Sequence, residues 1–331
     1  MSEKKLGNSG LGTSTIGLGC MGMSGMYGAA DVDESIATID AALDAGINLL
    51  DTGDFYGMGH NEMLIGRAVA SRNRDEFLIS VKFGAQRGPD GSWLGYDARP
   101  AAVKTALAYS LQRLRTDHID VYRPARLDPT VPIEETVGAI GELVDAGYVR
   151  AIGLSEVGPE TIRRAAATHL IADLQIEYSL ISRGIEQDIL PTCRELGIAI
   201  TAYGVLSRGL ISGHWTQERR LAATDFRSRA PRFQGENLER NLQLVDALRT
   251  IAERKHASVA QIAIAWVLSR GEDIVPLIGA RTRERLNEAL GALEHNLTTE
   301  DLEQIEQTVP PHAAAGHRYP EQQMAQLDSE R

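Results

Sequence analysis

Eight times along the chain a short apolar run rich in strand-forming residues gives way to a longer segment of helical period, and this alternation constrains the fold more than any other feature. The runs are Thr15–Gly19, Ile47–Leu50, Phe77–Val81, Ile119–Tyr122, Ala151–Leu154, Asp173–Ile176, Ala199–Ala202 and Ile274–Ile278, each closed by Gly, Asp or Pro. Helical segments are predicted at about 33–46, 61–71, 99–115, 132–146, 158–168, 183–196, 258–269 and 283–293. Asp33 before Glu34, the Arg99-Pro100 pair, Pro132 and Pro159 supply start signals, since proline at a helix start lacks only an N–H that would be unpaired anyway. No Pro/Gly/Ser linker interrupts the beat. The pattern predicts one closed (β/α)8 barrel, the TIM barrel of the α/β class, and 331 residues suit it.

Three segments lie outside the repeat. Lys5–Leu11 reads as a hairpin closing the barrel floor, because N-S-G supplies turn chemistry. The stretch from Leu206 to Phe233 carries Gly, Ser, His, Trp and six arginines, more than a connection needs, and is expected to be a functional loop. Residues 1–331 form a single barrel domain on this reading, with a polar C-terminal tail at about 310–331 that is either a disordered terminus or a lid over the substrate.

Composition removes several function classes. With 43% hydrophobic and 24% charged residues the chain can bury a large core. Lys plus Arg number 34 against 45 Asp plus Glu, a net charge of -11 without a long basic run, which argues against nucleic acid and against an anionic membrane as partners. Cys20 and Cys193 lack the paired spacing of zinc or redox sites and read as reduced thiols of a cytoplasmic protein. No eighteen apolar residues run together, and the first ten residues hold no signal-like stretch. The eight histidines are scattered without H-x-H or H-E-x-x-H, so no metal is expected.

Gly17-Leu18-Gly19-Cys20-Met21-Gly22 spells G-x-G-x-x-G after a strand, with Asp40 near the distance of a ribose partner. A Rossmann site needs a helix opening at the third glycine, and here Met23-Ser24-Gly25-Met26-Tyr27-Gly28 continues as loop. The match is read as accidental.

Barrel chemistry sits at the C-terminal ends of the strands. Asp51 follows the second strand, Tyr56 lies in the loop beyond it, and Lys82 ends the third. A lysine there needs a counter-charge to be buried, which Asp51 supplies from the adjacent strand. The ammonium is expected to lower the Tyr56 pKa from about 10 and make it a proton donor to a carbonyl.

These residues carry a resemblance. D-T-G-D-F-Y-G at 51–57, with Asn61-Glu62 and Gly66, is similar to the D-T-A-D-x-Y-G…N-E…G signature of the aldo-keto reductases, barrel enzymes that reduce carbonyls with NADPH. G-L-S-E-V at 153–157 resembles their G-L-S-N segment, Gln175 their carboxamide contact to nicotinamide, and Tyr203 in A-Y-G-V-L-S-R-G-L the tyrosine stacked on the ring. Residues 279–289, G-A-R-T-R-E-R-L-N-E-A, resemble the segment that wraps the adenosine 2′-phosphate. From residue chemistry alone, Arg281, Arg283 and Arg285 beside a helix start make an anion site, and its place after the eighth strand, where barrel phosphate sites concentrate, argues for NADPH over NADH. The resemblance implies catalysis by Asp51, Tyr56 and Lys82. It implies cofactor contacts from Gly22, Met23, Asp51, Ser155, Gln175, Tyr203, Leu206, Arg208, Gly209, Gly279, Arg281, Arg285 and Glu288.

Two departures stand out. Ala289 replaces an asparagine that would contact adenine. In D-V-Y-R-P-A-R-L-D-P at 120–129, similar to the family's D-L-Y-Q-x-H-R-x-D-P, Ala125 stands at the catalytic histidine. Loss of such a donor typically costs ~2.7–4 kcal/mol at the transition state. By strand parity Arg123 is expected to approach the site and Arg126 to point away. The expected function is reduction of a small-molecule aldehyde or ketone by NADPH. The alternative, drawn from the missing histidine, is an NADP(H)-binding sensor or interaction protein with little catalysis.

Overall fold

The computed structural model describes residues 3–222 and 225–331. Eight parallel strands close into a barrel: β1 (Gly17–Gly19), β2 (Leu49–Gly53), β3 (Leu78–Phe83), β4 (Ile119–Pro124), β5 (Val149–Ser155), β6 (Ile171–Glu177), β7 (Ala199–Tyr203) and β8 (Ile274–Gly279). β8 returns to β1 through Leu277↔Gly17 and Gly279↔Gly19, which completes the ring. Around it lie α1 (Val32–Asp44), α2 (His60–Ala68), α3 (Pro100–Leu114), α4 (Ile133–Asp145), α5 (Pro159–Thr168), α6 (Ile189–Leu196), α7 (Gly235–Arg254), α8 (Val259–Leu268) and α9 (Arg283–Leu290). The fold is the expected (β/α)8 TIM barrel, and every expected strand is present.

Side chains on a strand alternate between faces, so the barrel interior is written at every second residue. The lower interior is apolar: Leu49, Leu78, Val121, Ala151, Ala199 and Val275 form one cluster with Leu6 and Leu11. Two positions further along β2, β3, β4 and β7 the inward residues become Asp51, Ser80, Arg123 and Thr201, all buried. An apolar floor thus excludes water beneath a polar ceiling. The N-terminal hairpin seals this floor as expected, Glu3–Lys5 pairing antiparallel with Gly12–Ser14 and Lys4 Nζ donating to the Ile274 carbonyl at 2.7 Å.

The helices start close to where the sequence places them. Arg99 precedes Pro100 at the head of α3, and α8 opens on a reciprocal capping box of Ser258 and Gln261. For α1 the cap is Asp31, which accepts the Glu34 N–H at 2.8 Å, and not Asp33. The predicted 183–196 helix divides into a short turn at Gly184–Glu186 and α6. α7 and a further helix, α10 (Thr299–Thr308), lie outside the predicted segments. In α7 the buried Val245, Leu248, Ile251 and Ala252 recur at helical spacing, which gives it a face to dock.

The loop from Leu206 to Phe233 holds three short turns, at Ser207–Ser212, Phe226–Arg229 and Pro231–Phe233, and two of its positions, 223 and 224, lie outside the described residues. The tail from Pro310 is a built part of the molecule and includes α11 (Glu321–Met324). Asn241 on α7 pins it, bonding the Ala315 carbonyl and N–H at 2.9 and 2.8 Å.

Candidate active site

The glycine run of β1 leads into a single 3-10 turn at Met21–Ser24, which Gly25 ends, and no α-helix opens at Gly22. Asp40 is engaged on the outside of the barrel with Arg72 at 3.1 Å. The nucleotide-fingerprint match is therefore accidental, as read.

Asp51 and Lys82 meet at the top of the barrel, Nζ to Oδ1 2.5 Å, with both side chains almost fully buried. Two further groups hold the carboxylate: Ser80 Oγ donates to Oδ2 at 2.9 Å and Gln175 Nε2 at 2.7 Å. Gln175, expected at the nicotinamide carboxamide, here directs its amide to Asp51. Ser80 was not picked out from the sequence, although it shares its strand parity with Lys82. Tyr56 lies above this set with the Lys82 ammonium 5.1 Å from its ring centroid. The motif neighbours build the scaffold. Asn61 accepts from Thr52 Oγ1 and donates to the Cys20 carbonyl, Glu62 pairs with Arg113, and Gly66 lies so close to the Leu114 carbonyl that a Cβ would stand 2.8 Å from it.

The expectation that Lys82 lowers the Tyr56 pKa is corrected by this geometry. Burial first, and the Asp51 charge second, push the phenol well above 10. Asp51 neutralises the ammonium, which faces the ring. Burial also lowers the Lys82 pKa, against the opposing pull of Asp51. The result is a phenol that keeps its proton throughout the neutral range.

Strand β4 brings a second correction. Arg123 points into the barrel as its parity requires and is held there, its charge paired with Asp173 at 3.0 Å and its Nη2 donating to Ser80 Oγ at 3.1 Å. Its Nε and Nη1 are buried without a hydrogen-bond partner among the described residues. Arg126, expected to point away, reaches the barrel mouth. Its Nη1 donates to the Ala125 carbonyl at 2.6 Å and lies 3.4 Å from Ser155 Oγ, while Nη2 lies 3.4 Å from Tyr319 Oη. Alternation applies only within a strand, and β4 ends at Pro124.

The expected cofactor contacts all fall on this same face. Gly22 and Met23 lie in the turn after β1, Ser155 ends β5, Tyr203 ends β7, and Leu206, Arg208 and Gly209 follow it. Gly279 ends β8; Arg281 precedes α9, on which Arg285 and Glu288 lie. Arg281 donates to the Tyr27 and Ala29 carbonyls, and Arg285 contacts His214 and Glu288 at 2.6 and 3.0 Å. Arg283 turns outward to Glu34, Nη2 to Oε2 2.9 Å, so it links α9 to α1 and leaves the anion cluster. Its place is taken from the long loop. Arg219 stands over the Trp215 ring at 4.5 Å, and Arg227, 5.1 Å from the same ring, is paired with Asp225 at 2.6 Å. Burial, then the like charges of Arg227, Arg281 and Arg285, lower the Arg219 pKa. Among the described residues Trp215 Nε1 and Ser207 Oγ are buried without a hydrogen-bond partner. Concentrated positive charge beside unmet donors fits an anionic, phosphate-bearing ligand.

Above the strand ends lies the tail, which no strand-end reading revealed. Glu156, fully buried and in a left-handed backbone conformation (φ 53), accepts from Arg318, Tyr203 Oη and Ser329 Oγ. Burial opposes ionisation of Glu156, but Arg318 and its other partners hold the carboxyl well below the usual range. Tyr319 Oη lies 2.9 Å from Tyr203 Oη, and Arg208 bonds both Glu177 and the Arg318 carbonyl. The tail is thus docked over the strand ends through Arg318 and Tyr319.

The architecture has close counterparts. The sequence profile of the Aldo/keto reductase family matches residues 15–310. A probable aldo-keto reductase 1 from Glycine max is 42% identical over 318 residues, covering 95% of this chain and 91% of that protein. Among solved structures, the glycerol dehydrogenase of Gluconobacter oxydans superposes with a TM-score of 0.86 at 30% identity, covering 95% of this chain and 97% of that one. The holo form of an aldo-keto reductase from Bacillus halodurans gives 0.77 at 28% identity, with 96% and 98% covered. The chain belongs to the aldo/keto reductase family of oxidoreductases.

Proposed function

We propose that the protein reduces an aldehyde or ketone to an alcohol with NADPH, with Tyr56 as the proton donor. The observation that carries this reading is the buried Asp51–Lys82 pair directly beneath Tyr56 at the strand ends. A bound reduced nicotinamide would supply the hydride. Tyr56 gives its proton to the carbonyl oxygen, and its high pKa keeps that proton available at neutral pH. Lys82 faces the phenol ring and steadies the phenolate as it forms, while Asp51, held by Ser80 and Gln175, fixes Lys82. On this reading Gly22, Met23, Ser155, Tyr203, Leu206, Gly209 and Gly279 would hold the nicotinamide half. Arg281 and Arg285, with Glu288 orienting Arg285, would hold the adenosine phosphate. Arg208 braces the tail over both. We assign the protein to the cytoplasm because both cysteines are free and buried, as thiols are in a reducing compartment.

NADPH consumption by purified protein against a panel of aldehydes and ketones, with NADH alongside, tests this directly. NADPH-dependent turnover of at least one carbonyl is expected. Tight NADPH binding without turnover of any carbonyl would favour the sensor reading, which the Ala125 position and the docked tail support.

A further inference from the structure

Four cations approach the mouth of the barrel, and three are committed. Lys82 is paired with Asp51, Arg208 with Glu177, and Arg318 with Glu156. Arg126 differs: among the described residues no carboxylate lies within ion-pair distance of it. Its one short bond is to the carbonyl of its own neighbour, Ala125, and its contacts to Ser155 and Tyr319 lie at 3.4 Å, the weak end of the range. A guanidinium carries five N–H donors; three meet these contacts, two of them weakly, and two have no protein partner among the described residues. Its contacts to Ser155, which ends β5, and to Tyr319, whose Oη lies 2.9 Å from Tyr203 Oη, set it among the strand ends that carry the proposed proton-transfer set, and its charge acts on Tyr56 and Lys82 alike. It also immediately follows Ala125, where the expected imidazole is absent.

We infer that Arg126 donates the carbonyl-oxygen hydrogen bond that Ala125 cannot, making it a catalytic residue of this enzyme. The inference rests on the carbonyl-reduction reading. As the carbonyl carbon accepts the hydride, the C=O π pair moves to oxygen, and that oxygen takes the Tyr56 proton. Arg126 stabilises the growing negative charge and keeps its own protons, because a guanidinium does not titrate in this range. An imidazole donor would change charge near pH ~6.5. The Arg126 site has no such transition.

The inference is tested with wild type, Arg126→Met and Arg126→Lys, using 4-nitrobenzaldehyde and 4-carboxybenzaldehyde as probes. NADPH affinity, read by fluorescence on the same samples, reports that each variant is folded. Arg126→Met is expected to lower kcat on both aldehydes by roughly 10²–10³-fold, the scale for loss of one oxyanion donor, with NADPH affinity unchanged. Arg126→Lys keeps part of the rate, and added guanidinium at non-denaturing concentration restores part of it to Arg126→Met. Benzoate, whose carboxylate mimics the charged oxygen, should bind wild type more tightly than Arg126→Met by calorimetry, a readout independent of turnover. Wild-type kcat in Arg126→Met overturns the inference while carbonyl reduction stands. So does a defect confined to KM for the carboxylated aldehyde, which would make Arg126 an anchor for substrate carboxylates. Wild type inert toward the whole carbonyl panel removes the carbonyl-reduction reading and this inference with it.

Discussion

Arg318 grips Glu156 through both carboxylate oxygens, Nη1 to Oε1 at 2.8 Å and Nη2 to Oε2 at 2.5 Å, and so fastens the C-terminal tail to the end of strand β5. Tyr203 donates to the same carboxylate, which ties the ring proposed to stack on nicotinamide to the fastening of the tail.

Breaking this pair should free the tail. Arg318→Met leaves Glu156 buried without its main counter-charge, a change that costs about 3–5 kcal/mol for pairs of this kind. Faster hydrogen exchange over residues 313–331 and faster NADPH release are the expected outcomes. The pH dependence follows from the depressed Glu156 pKa. Its stabilisation is present above the ordinary carboxylate value of 4.5 and is lost as pH falls through the lower folded value. The tail should stay docked at mildly acidic pH, and release between neutral pH and about 5, followed by exchange, would contradict the assignment.

Tyr56→Phe removes the proposed acid and little ground-state binding, so kcat should collapse with NADPH affinity nearly unchanged. Because burial and Asp51 raise the phenol pKa, wild-type reduction should show no loss attributable to Tyr56 as pH rises to about 9. Alcohol oxidation needs the phenolate and should climb across the same range. A reduction rate that falls through neutral pH in wild type, and not in a Tyr56 variant with residual activity, would restore a low-pKa tyrosine.

The eight strands and the sealed floor were legible because each depends on local sequence, and the Asp51–Lys82 pair because both residues stand near the ends of consecutive strands. Leu49 then Asp51, and Leu78, Ser80 then Lys82, spell the change from apolar floor to polar ceiling at a spacing of two. Parity stopped being a guide at Pro124, where β4 ends, and that is why Arg126 was misplaced. Arg123 obeyed parity, but its partner Asp173 lies on another strand and was not foreseen. Glu156 stood in a quoted motif, yet nothing local points to Arg318, 162 residues away. The direction of the Tyr56 shift depends on burial, which only packing reveals.

Asp54 makes stability fall with pH. Burial raises its pKa to about 7, and Oδ1 is buried without a hydrogen-bond partner among the described residues. A carboxyl with a raised folded pKa contributes stability below its unfolded value, 3.8, and loses that contribution as pH rises through about 7. Asp54→Asn keeps the acceptor for the Gly84 N–H and removes the titration. Thermal melts at about pH 5 and 8 should show wild type losing more stability than the variant, by about 3 kcal/mol at most, because the loss accrues only up to the folded value near 7. Parallel curves would mean that Asp54 ionises normally.

The arginine cluster sets cofactor choice on our reading. Arg281→Ala combined with Arg285→Ala should weaken NADPH much more than NADH, since the 2′-phosphate is the group that distinguishes them. Arg283→Ala is the internal control, because that side chain faces Glu34 and should leave the NADPH-to-NADH ratio unchanged. Fluorescence titration with both cofactors reads the ratio, and an Arg283 variant that alone alters it would reverse the placement.

Ala125 and Arg126 should behave as alternatives for one oxygen, and a double-mutant cycle exposes that. In wild type the Ala125 side chain is buried and its N–H is committed to the Phe83 carbonyl at 2.8 Å, so an imidazole introduced there must crowd the neighbouring guanidinium. Ala125→His alone is expected to give no gain on 4-nitrobenzaldehyde, and a loss if Arg126 is displaced. In the Arg126→Met background the same substitution has a vacant donor position to fill and should raise kcat. It should also introduce a pH dependence near the ordinary imidazole value of about 6.5, absent from wild type. The two changes would then be strongly non-additive, with the coupling carried in kcat. Additive effects in single-turnover assays, with no new pH limb in the double variant, would mean that the residues serve different atoms. A gain from Ala125→His equal in both backgrounds would place the imidazole on the carbonyl oxygen and Arg126 elsewhere.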